Sequence, residues 1–368
     1  MKKKILATYF PQYYSIKINN DNWGDGFTDW DNVKTAKSQY ESHYMPRIPQ
    51  NNNYYSPLDE NTLDWQIKLA IDSEIDGFNF YHYWFDGELV LEKPVKKFKE
   101  INTKLHYCFT WANESWTKQW DGNPKIIVRQ SHLSDEKIWK KHLNYLIDYF
   151  KDDNYLKVNN KPIFTIYRAE LIPNIESLMK FYNDFIKLNT SFDGIFWIAS
   201  KSYSFLGENN VFSHFDKVVL FQPRDLFNNH FFKKTKIKKR TESIFRRLPW
   251  IFQHGLAFLK FKSESSKVFD YSEYCDKQIE LINATNSDQN TFHSIAVDWD
   301  NTARYKERFI GFKNFNLVDY KRLLKAAIYN DDKDFLFINA WNEWAESAYL
   351  EPDEKFGNKK LEILKNLL

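Results

Sequence analysis

Eight short runs of β-branched and aromatic residues recur along this chain, and helix-like segments separate most of them. The runs are KILATYF (4–10), GFNFYHYW (77–84), LHYCFTW (105–111), PIFTIYR (162–168), GIFWIAS (194–200), KVVLFQP (217–223), HSIAVDW (293–299) and DFLFINAW (334–341). Runs of this length and composition read as strands with both faces buried. Helical spacing of apolar residues predicts helices over 59–75, 93–102, 135–150, 174–189, 271–284 and 318–331, the second opening with Pro94, a residue tolerated in a first turn. Eight strands alternating with helices in one chain favour an α/β fold of the closed (β/α)8, or TIM-barrel, type over an open doubly wound sheet. A Rossmann-like sheet is the alternative, but no GxGxxG follows any run.

Length and composition set the outer bounds. With 368 residues, 43% apolar and 18% aromatic, the chain can bury a large core, and one barrel spanning 1–368 accounts for all eight runs. A net charge of +3 gives no global case for a nucleic-acid partner. Cys108 and Cys275 are the only cysteines, so neither a disulfide scaffold nor a Cys-rich zinc site is available, and a reducing, cytoplasmic setting fits. The MKKK start runs straight into ILATYFPQYY and reads as a first strand, without the long apolar region of a leader. No stretch reaches 18 consecutive apolar residues, so no membrane span is expected.

One segment departs from the alternation. Within 224–270, after the sixth run, residues 231–263 hold ten Lys or Arg against one acid, Glu242, followed by Trp250 and several Phe, Leu and Ile. A basic and aromatic insertion of this kind suits peripheral contact with an anionic membrane at its inner face. It equally suits a helix packed on the barrel with a solvated charged face.

Polar and aromatic residues crowd the ends of the runs, where a (β/α)8 barrel builds its site. They include Tyr9; Tyr81, His82 and Trp84; Trp111, Asn113, Glu114 and Trp116; Tyr167; Asp298 and Trp299; and Trp341, Asn342, Trp344 and Glu351. Sugars offer apolar C–H faces and rings of hydroxyls, so a sugar site wants aromatic platforms beside paired donors and acceptors. These residues are therefore the expected contacts of an oligosaccharide or polysaccharide. Glycosidic chemistry needs two carboxyl groups. The densest source is INAWNEWAESAYLEPD (338–353), and if the strand stops near Asn342 and turns, Glu343 and Glu346 can both face the mouth.

Together with that segment, the runs WGDGFTDWDNV (23–33), HYMPRIPQ (43–50), GFNFYHYWF (77–85), FTWANESWTKQWDG (109–122), VNNKPIFTIYR (158–168) and DWDNTAR (298–304) resemble the WbsX-like family. That family is associated with bacterial O-antigen and capsule biosynthesis and is similar to glycoside hydrolase family 99. The resemblance spans nearly the whole chain outside the basic insertion. It implies a (β/α)8 barrel and metal-independent, retaining action on α-mannosides, with the sugar's own 2-hydroxyl as nucleophile through an epoxide-like intermediate. Position by position, Glu343 matches the base that deprotonates the 2-hydroxyl and Glu346 the general acid and base at the leaving oxygen. Glu351 and Pro352 match a trailing Glu-Pro. Ser347 stands where the family usually has Gly, and Asn113-Glu114-Ser115-Trp116 stands for its Asn-Glu-Asn-Trp; both departures bear on the substrate more than the chemistry.

Two other chemistries have sequence requirements of their own. A metal site needs ligand spacings such as HExxH, which none of the nine histidines shows, so neither metal nor cofactor is expected. A nucleotide-sugar glycosyltransferase needs a DxD carboxylate pair for a cation or a Rossmann donor domain; of the DxD triplets Asp29-Trp30-Asp31, Asp298-Trp299-Asp300 and Asp332-Lys333-Asp334, it is Asp298-Trp299-Asp300 that falls at the end of an expected strand. A non-catalytic glycan-binding protein on the same barrel is the reading from a different class.

Overall fold

The computed structural model describes residues 2–118, 125–205, 207–232, 266–330 and 332–368. All eight runs form strands: β1 (Lys4–Tyr9), β2 (Gly77–Phe85), β3 (His106–Trp111), β4 (Lys161–Ile166), β5 (Phe196–Lys201), β6 (Lys217–Leu220), β7 (Thr291–Ala296) and β8 (Phe335–Asn339). Each pairs in parallel with its neighbour, and β1 pairs with both β2 and β8, through Tyr9↔Phe80 and Ala7↔Ile338, so the sheet closes into a barrel. β6 ends three residues short of its run, at a segment containing Pro223, which has no N–H to give a ladder.

Helices cover the barrel as the spacing predicts: α1 (Thr62–Asp72), α2 (Lys93–Glu100), α3 (Glu136–Phe150), α4 (Ile175–Asn189), α5 (Glu208–Phe212), α6 (Tyr271–Ala284), α7 (Leu317–Tyr329) and α8 (Lys359–Lys365). The short α5 and the C-terminal α8 have no counterpart among the expected helices. Several start on side-chain caps, Asp135 for α3 and Asn316 for α7, each accepting a free N–H of the first turn. α3 buries His142, Leu143, Leu146, Tyr149 and Phe150, one apolar stripe at helical spacing laid against the strands.

Strand alternation decides which side chains reach the barrel interior. Ile5, Phe78, Phe80, Phe109 and Phe164 belong to the main core with the helix faces. The middle of the interior is lined by small polar residues instead: Thr8, Asn79, Thr110, Thr165, Ser200, Ser294 and Asn339. The basic insertion is outside the described residues from 233 to 265. No helix among the described residues is long and apolar enough to cross a membrane.

Candidate active site

The cleft lies over the C-terminal ends of the strands, with a volume of about 230 Å3. Its wall takes Phe10 and Gln12 from the segment after β1, Tyr81 and Tyr83 from the end of β2, and Glu114, Ser115, Trp116 and Thr117 from beyond β3. Tyr167 follows β4, Phe221 and Arg224 follow β6, Arg304 and Tyr305 follow β7, and Asn339, Glu343 and Glu346 complete the ring from β8. Asn19 and Trp23 reach in from a helix, Lys17–Trp23, inserted between β1 and α1.

Beyond β8 the backbone turns as the sequence requires for both glutamates to face the mouth. Asn342–Glu343 pairs antiparallel with Ala348–Tyr349 across a 3-10 turn at Trp344–Glu346. This hairpin is pinned on every side. The Tyr13 hydroxyl donates to the Asn342 carbonyl (2.6 Å) and accepts from the Trp344 N–H (3.0 Å), while the Asp300 N–H donates to the Glu346 carbonyl (2.8 Å). The Asn342 side chain clasps the Phe10 backbone, accepting from its N–H (2.7 Å) and donating to its carbonyl (3.0 Å). Trp344 stacks on Tyr349 at 3.7 Å, and its indole N–H donates to Glu351 at 2.7 Å.

Ser347 closes the turn at φ +57, in the left-handed region that favours glycine, and its buried hydroxyl has no hydrogen-bond partner. Occupying that region costs an ordinary residue roughly 1–2 kcal/mol, whereas glycine's extra chain entropy costs roughly 0.5–1 kcal/mol. Ser347→Gly should therefore be neutral to stabilising by up to about 1 kcal/mol, read from chemical denaturation. A loss beyond about 1 kcal/mol would show that the serine does something the geometry does not reveal.

One guanidinium joins the two glutamates. Arg304 Nη2 donates to Glu343 at 3.0 Å and Nη1 to Glu346 at 3.2 Å, and Nη2 also pairs with buried Asp29. Arg224 approaches Glu346 at 3.5 Å while its guanidinium lies 5.5 Å from the Trp299 ring. Burial pushes Glu343 well above the usual carboxylate range; Arg304 opposes that, and the neighbouring charges of Glu346 and Asp29 add to it. Arg304 is held protonated by its three carboxylates against the cost of burial. Burial also pushes the Tyr167 hydroxyl up to about 12.

Of the residues expected from the sequence, Glu343, Glu346, Tyr81, Glu114, Trp116 and Tyr167 line the cleft. The others do not, and strand parity supplies much of the reason. Tyr9, His82, Trp84, Trp111 and Trp341 point outward, toward the helices. The Tyr9 hydroxyl donates to Gln66 of α1 (2.8 Å), and Trp341 packs on Phe78. His82 and Trp84 both stack on His142 of α3, and the Trp111 indole donates to the Trp84 carbonyl. Asn113 is fully buried and bonds the Arg168 backbone through both ends of its amide. Asn342, Trp344 and Trp299 support the hairpin and Arg224 as described. Glu351 sits behind the hairpin, accepting from Trp344, Gln66 and Tyr55, and burial pushes it up to about 7.

The carboxylates of Asp298 and Asp300 are likewise committed to packing. Asp298 pairs with Arg47 at 2.8 Å; Asp300 meets His43 at 2.7 Å and accepts from both the N–H and hydroxyl of Thr302. Among the described residues no cluster of three or more His, Cys, Asp or Glu is placed to hold a metal ion.

Sequence reasoning missed the two arginines that organise the pair. A signal existed: Arg168, Arg224 and Arg304 each follow a strand by a few residues, and two buried acids need a cation. Arg168 performs that task at the rim, where it pairs with Glu114 and with Glu170 (2.5 Å) and donates to the Tyr203 hydroxyl (3.1 Å).

Barrel and cleft together define a (β/α)8 protein of the glycoside hydrolase family 99 shape. The GH99 endo-alpha-mannosidase from Bacteroides thetaiotaomicron superposes with a TM-score of 0.55 at 14% identity, covering 99% of this chain and 96% of that one. A glycoside hydrolase-like protein superposes at 0.56 with 12% identity, covering 100% and 94%. At these identities the likeness is one of fold. By sequence, the chain belongs to the family described as Glycosyltransferase WbsX, matched over residues 5–364. It is also similar to WxcX of Xanthomonas campestris pv. campestris, at 27% identity in strain B100 and 26% in strain ATCC 33913, in each case over 99% of this chain and 49% of the relative. The chain thus spans about half the length of these curated relatives.

Proposed function

We propose that this chain is a carbohydrate-active enzyme that cleaves or rearranges α-linked sugars, mannose or a related residue, in a bacterial surface polysaccharide or its precursor. The observation that carries the reading is the shared grip of Arg304 on Glu343 and Glu346 in the wall of an aromatic cleft. Two carboxyl groups from one rigid hairpin, with Tyr81, Trp116 and Tyr167 beside them, match what glycosidic chemistry and a sugar's apolar faces require.

In this reading Glu343 takes the proton of the sugar 2-hydroxyl, and O2 displaces the leaving oxygen at the anomeric carbon while Glu346 protonates that oxygen. Water then opens the epoxide-like intermediate at the anomeric carbon, its proton passing to Glu346, and Glu343 returns a proton to O2; configuration is retained. The pair needs one proton in total at the start, and burial of Glu343 beside Glu346 favours holding one. Raised proton affinity makes Glu343 the stronger base once ionised, and Arg304 keeps that ionised form accessible.

The family's name speaks of glycosyl transfer. A cation-dependent nucleotide-sugar transferase would draw on a DxD pair, but Arg47 and His43 already occupy Asp298 and Asp300, Arg304 and the Thr28 N–H hold Asp29 and Asp31, and Asp332 and Asp334 precede β8, at the opposite end of the barrel. The described cleft wall sets Glu114, Glu343 and Glu346 against Arg224 and Arg304, so it offers no excess of positive charge for a diphosphate.

The test incubates the purified chain with defined α-mannosides and a lipid-linked oligosaccharide, with no nucleotide sugar, beside matched 2-deoxy substrates. Release of a reducing sugar from the parent compounds, with at least 100-fold less from the 2-deoxy ones, is the expected result. Turnover only with added nucleotide sugar would make the protein a transferase. Binding without turnover would make it a glycan-binding barrel.

A further inference from the structure

A third carboxylate reaches the glutamate pair from a distant part of the chain. Asp29 opens the helix Asp29–Thr35, inserted between β1 and α1, and is 2% exposed. One of its oxygens pairs with Arg304 Nη2, the nitrogen that also holds Glu343 at 3.0 Å. Its other oxygen accepts from Asn32 Nδ2 at 2.9 Å, and its backbone N–H donates to the Gln12 carbonyl at 3.2 Å. The side chain is therefore fixed, buried and absent from the cleft wall.

A carboxylate buried at this depth costs stability unless its site gives something in return. Arg304 Nη2 is shared between Asp29 and Glu343, so each takes part of a donor the other would use. We infer that Asp29 is a positioning residue that sets how much of the Arg304 charge reaches Glu343, and so the pH at which Glu343 serves as base. The inference rests on the glycoside-cleaving reading of Glu343.

Arg304, Glu346, Asp29 and Arg224 act on Glu343, and the hydroxyls of Tyr13, Tyr81 and Tyr83 face it. Arg304, Tyr13 and Tyr83 also face Asp29. Of the charged groups, Arg304, Arg224 and Glu346 line the cleft and meet the substrate directly. Among the described charged groups that act on Glu343, Asp29 is the one that does so from outside the cleft wall. Its negative charge opposes ionisation of Glu343 both directly and by drawing on Arg304, so its removal must make Glu343 ionise more readily and bind a proton less tightly.

The experiment compares pH profiles of kcat/KM for wild type, Asp29→Asn, Asp29→Ser and Asp29→Glu. Alongside, carboxyl titrations are followed by NMR on glutamate-labelled protein without substrate. In Asp29→Asn the acid limb and the Glu343 titration should both move about 1 pH unit lower, the small end of what a neighbouring charge does. The plateau should fall about threefold, because the base is weaker. Asp29→Ser, which also lacks the charge, must shift the same way should the asparagine variant fail to fold, and Asp29→Glu should return the limb toward wild type. A wild-type limb, or one moved to higher pH, in a folded charge-free variant overturns the inference, since a purely structural Asp29 would lower yield or melting temperature and leave the limb in place. If the wild type turns over no glycoside, the functional reading falls, while the Glu343 titration still decides whether Asp29 acts on it.

Discussion

Glu346→Gln should turn over α-linked glycosides about 10²- to 10⁴-fold more slowly than the wild type, with fold and sugar affinity intact. The amide keeps a carbonyl oxygen that can still accept from Arg304 Nη1, which lies 3.2 Å from the glutamate, so the hairpin has no cause to move. What is lost is the proton for the leaving oxygen. The loss should accordingly depend on the leaving group: substrates with very acidic leaving groups need little protonation and should be largely spared in the first step. Steady-state kinetics on a leaving-group series checks this, with binding of an unreactive sugar analogue as the control. Wild-type rates on a poor-leaving-group substrate would remove Glu346 from the role of acid.

The barrel was legible because each strand is a bounded run and each helix an amphipathic stripe, signals that survive in a single sequence. The pair on the β8 hairpin was legible because buried Glu343 and Glu346 stand out beside Trp341 and Trp344. The wall around them was only partly so, and for a definite reason. Reading a whole strand end as cleft ignores the period of two: in β2, Tyr81 and Tyr83 face in, while His82 and Trp84 face out onto His142 of α3. The same rule, applied first, would have sent Tyr9 and Trp111 to the helix layer.

Other features needed three dimensions. Nothing local in Asp29 shows that it will meet Arg304, because the contact joins the helix Asp29–Thr35, after β1, to the short helix Thr302–Tyr305, after β7. Nor does the motif around Asp298 and Asp300 reveal that Arg47 and His43, from another quoted motif, come to lie against them. A carboxylate pair in sequence is only a candidate for metal or substrate until its counter-charge is located.

Arg304→Met should be the most damaging single change to the fold near the site. Methionine fills much of the space left by the arginine stem, so the main loss is charge: Asp29, Glu343 and Glu346 would keep their burial with no shared cation. Removing one partner of a buried ionic cluster costs about 3–5 kcal/mol. At roughly 2.1 cal/mol/K of unfolding entropy per residue, that is a drop of about 5 °C in melting temperature for a chain of this size. The pH dependence separates this cause from a packing defect. Burial already raises Glu343 above its unfolded value, and without Arg304, the leading opposing influence, it must rise further. An acid whose folded pKa is raised binds more protons folded than unfolded, so its contribution is fully present below the ordinary glutamate value of about 4.3 and is lost as pH climbs through the folded pKa. The variant should therefore lie closest to wild type near pH 4 and fall progressively further behind toward neutrality, as measured by denaturant unfolding across that range. A deficit of the same size at every pH would mean that Arg304 acts by packing and not as the counter-charge of the pair.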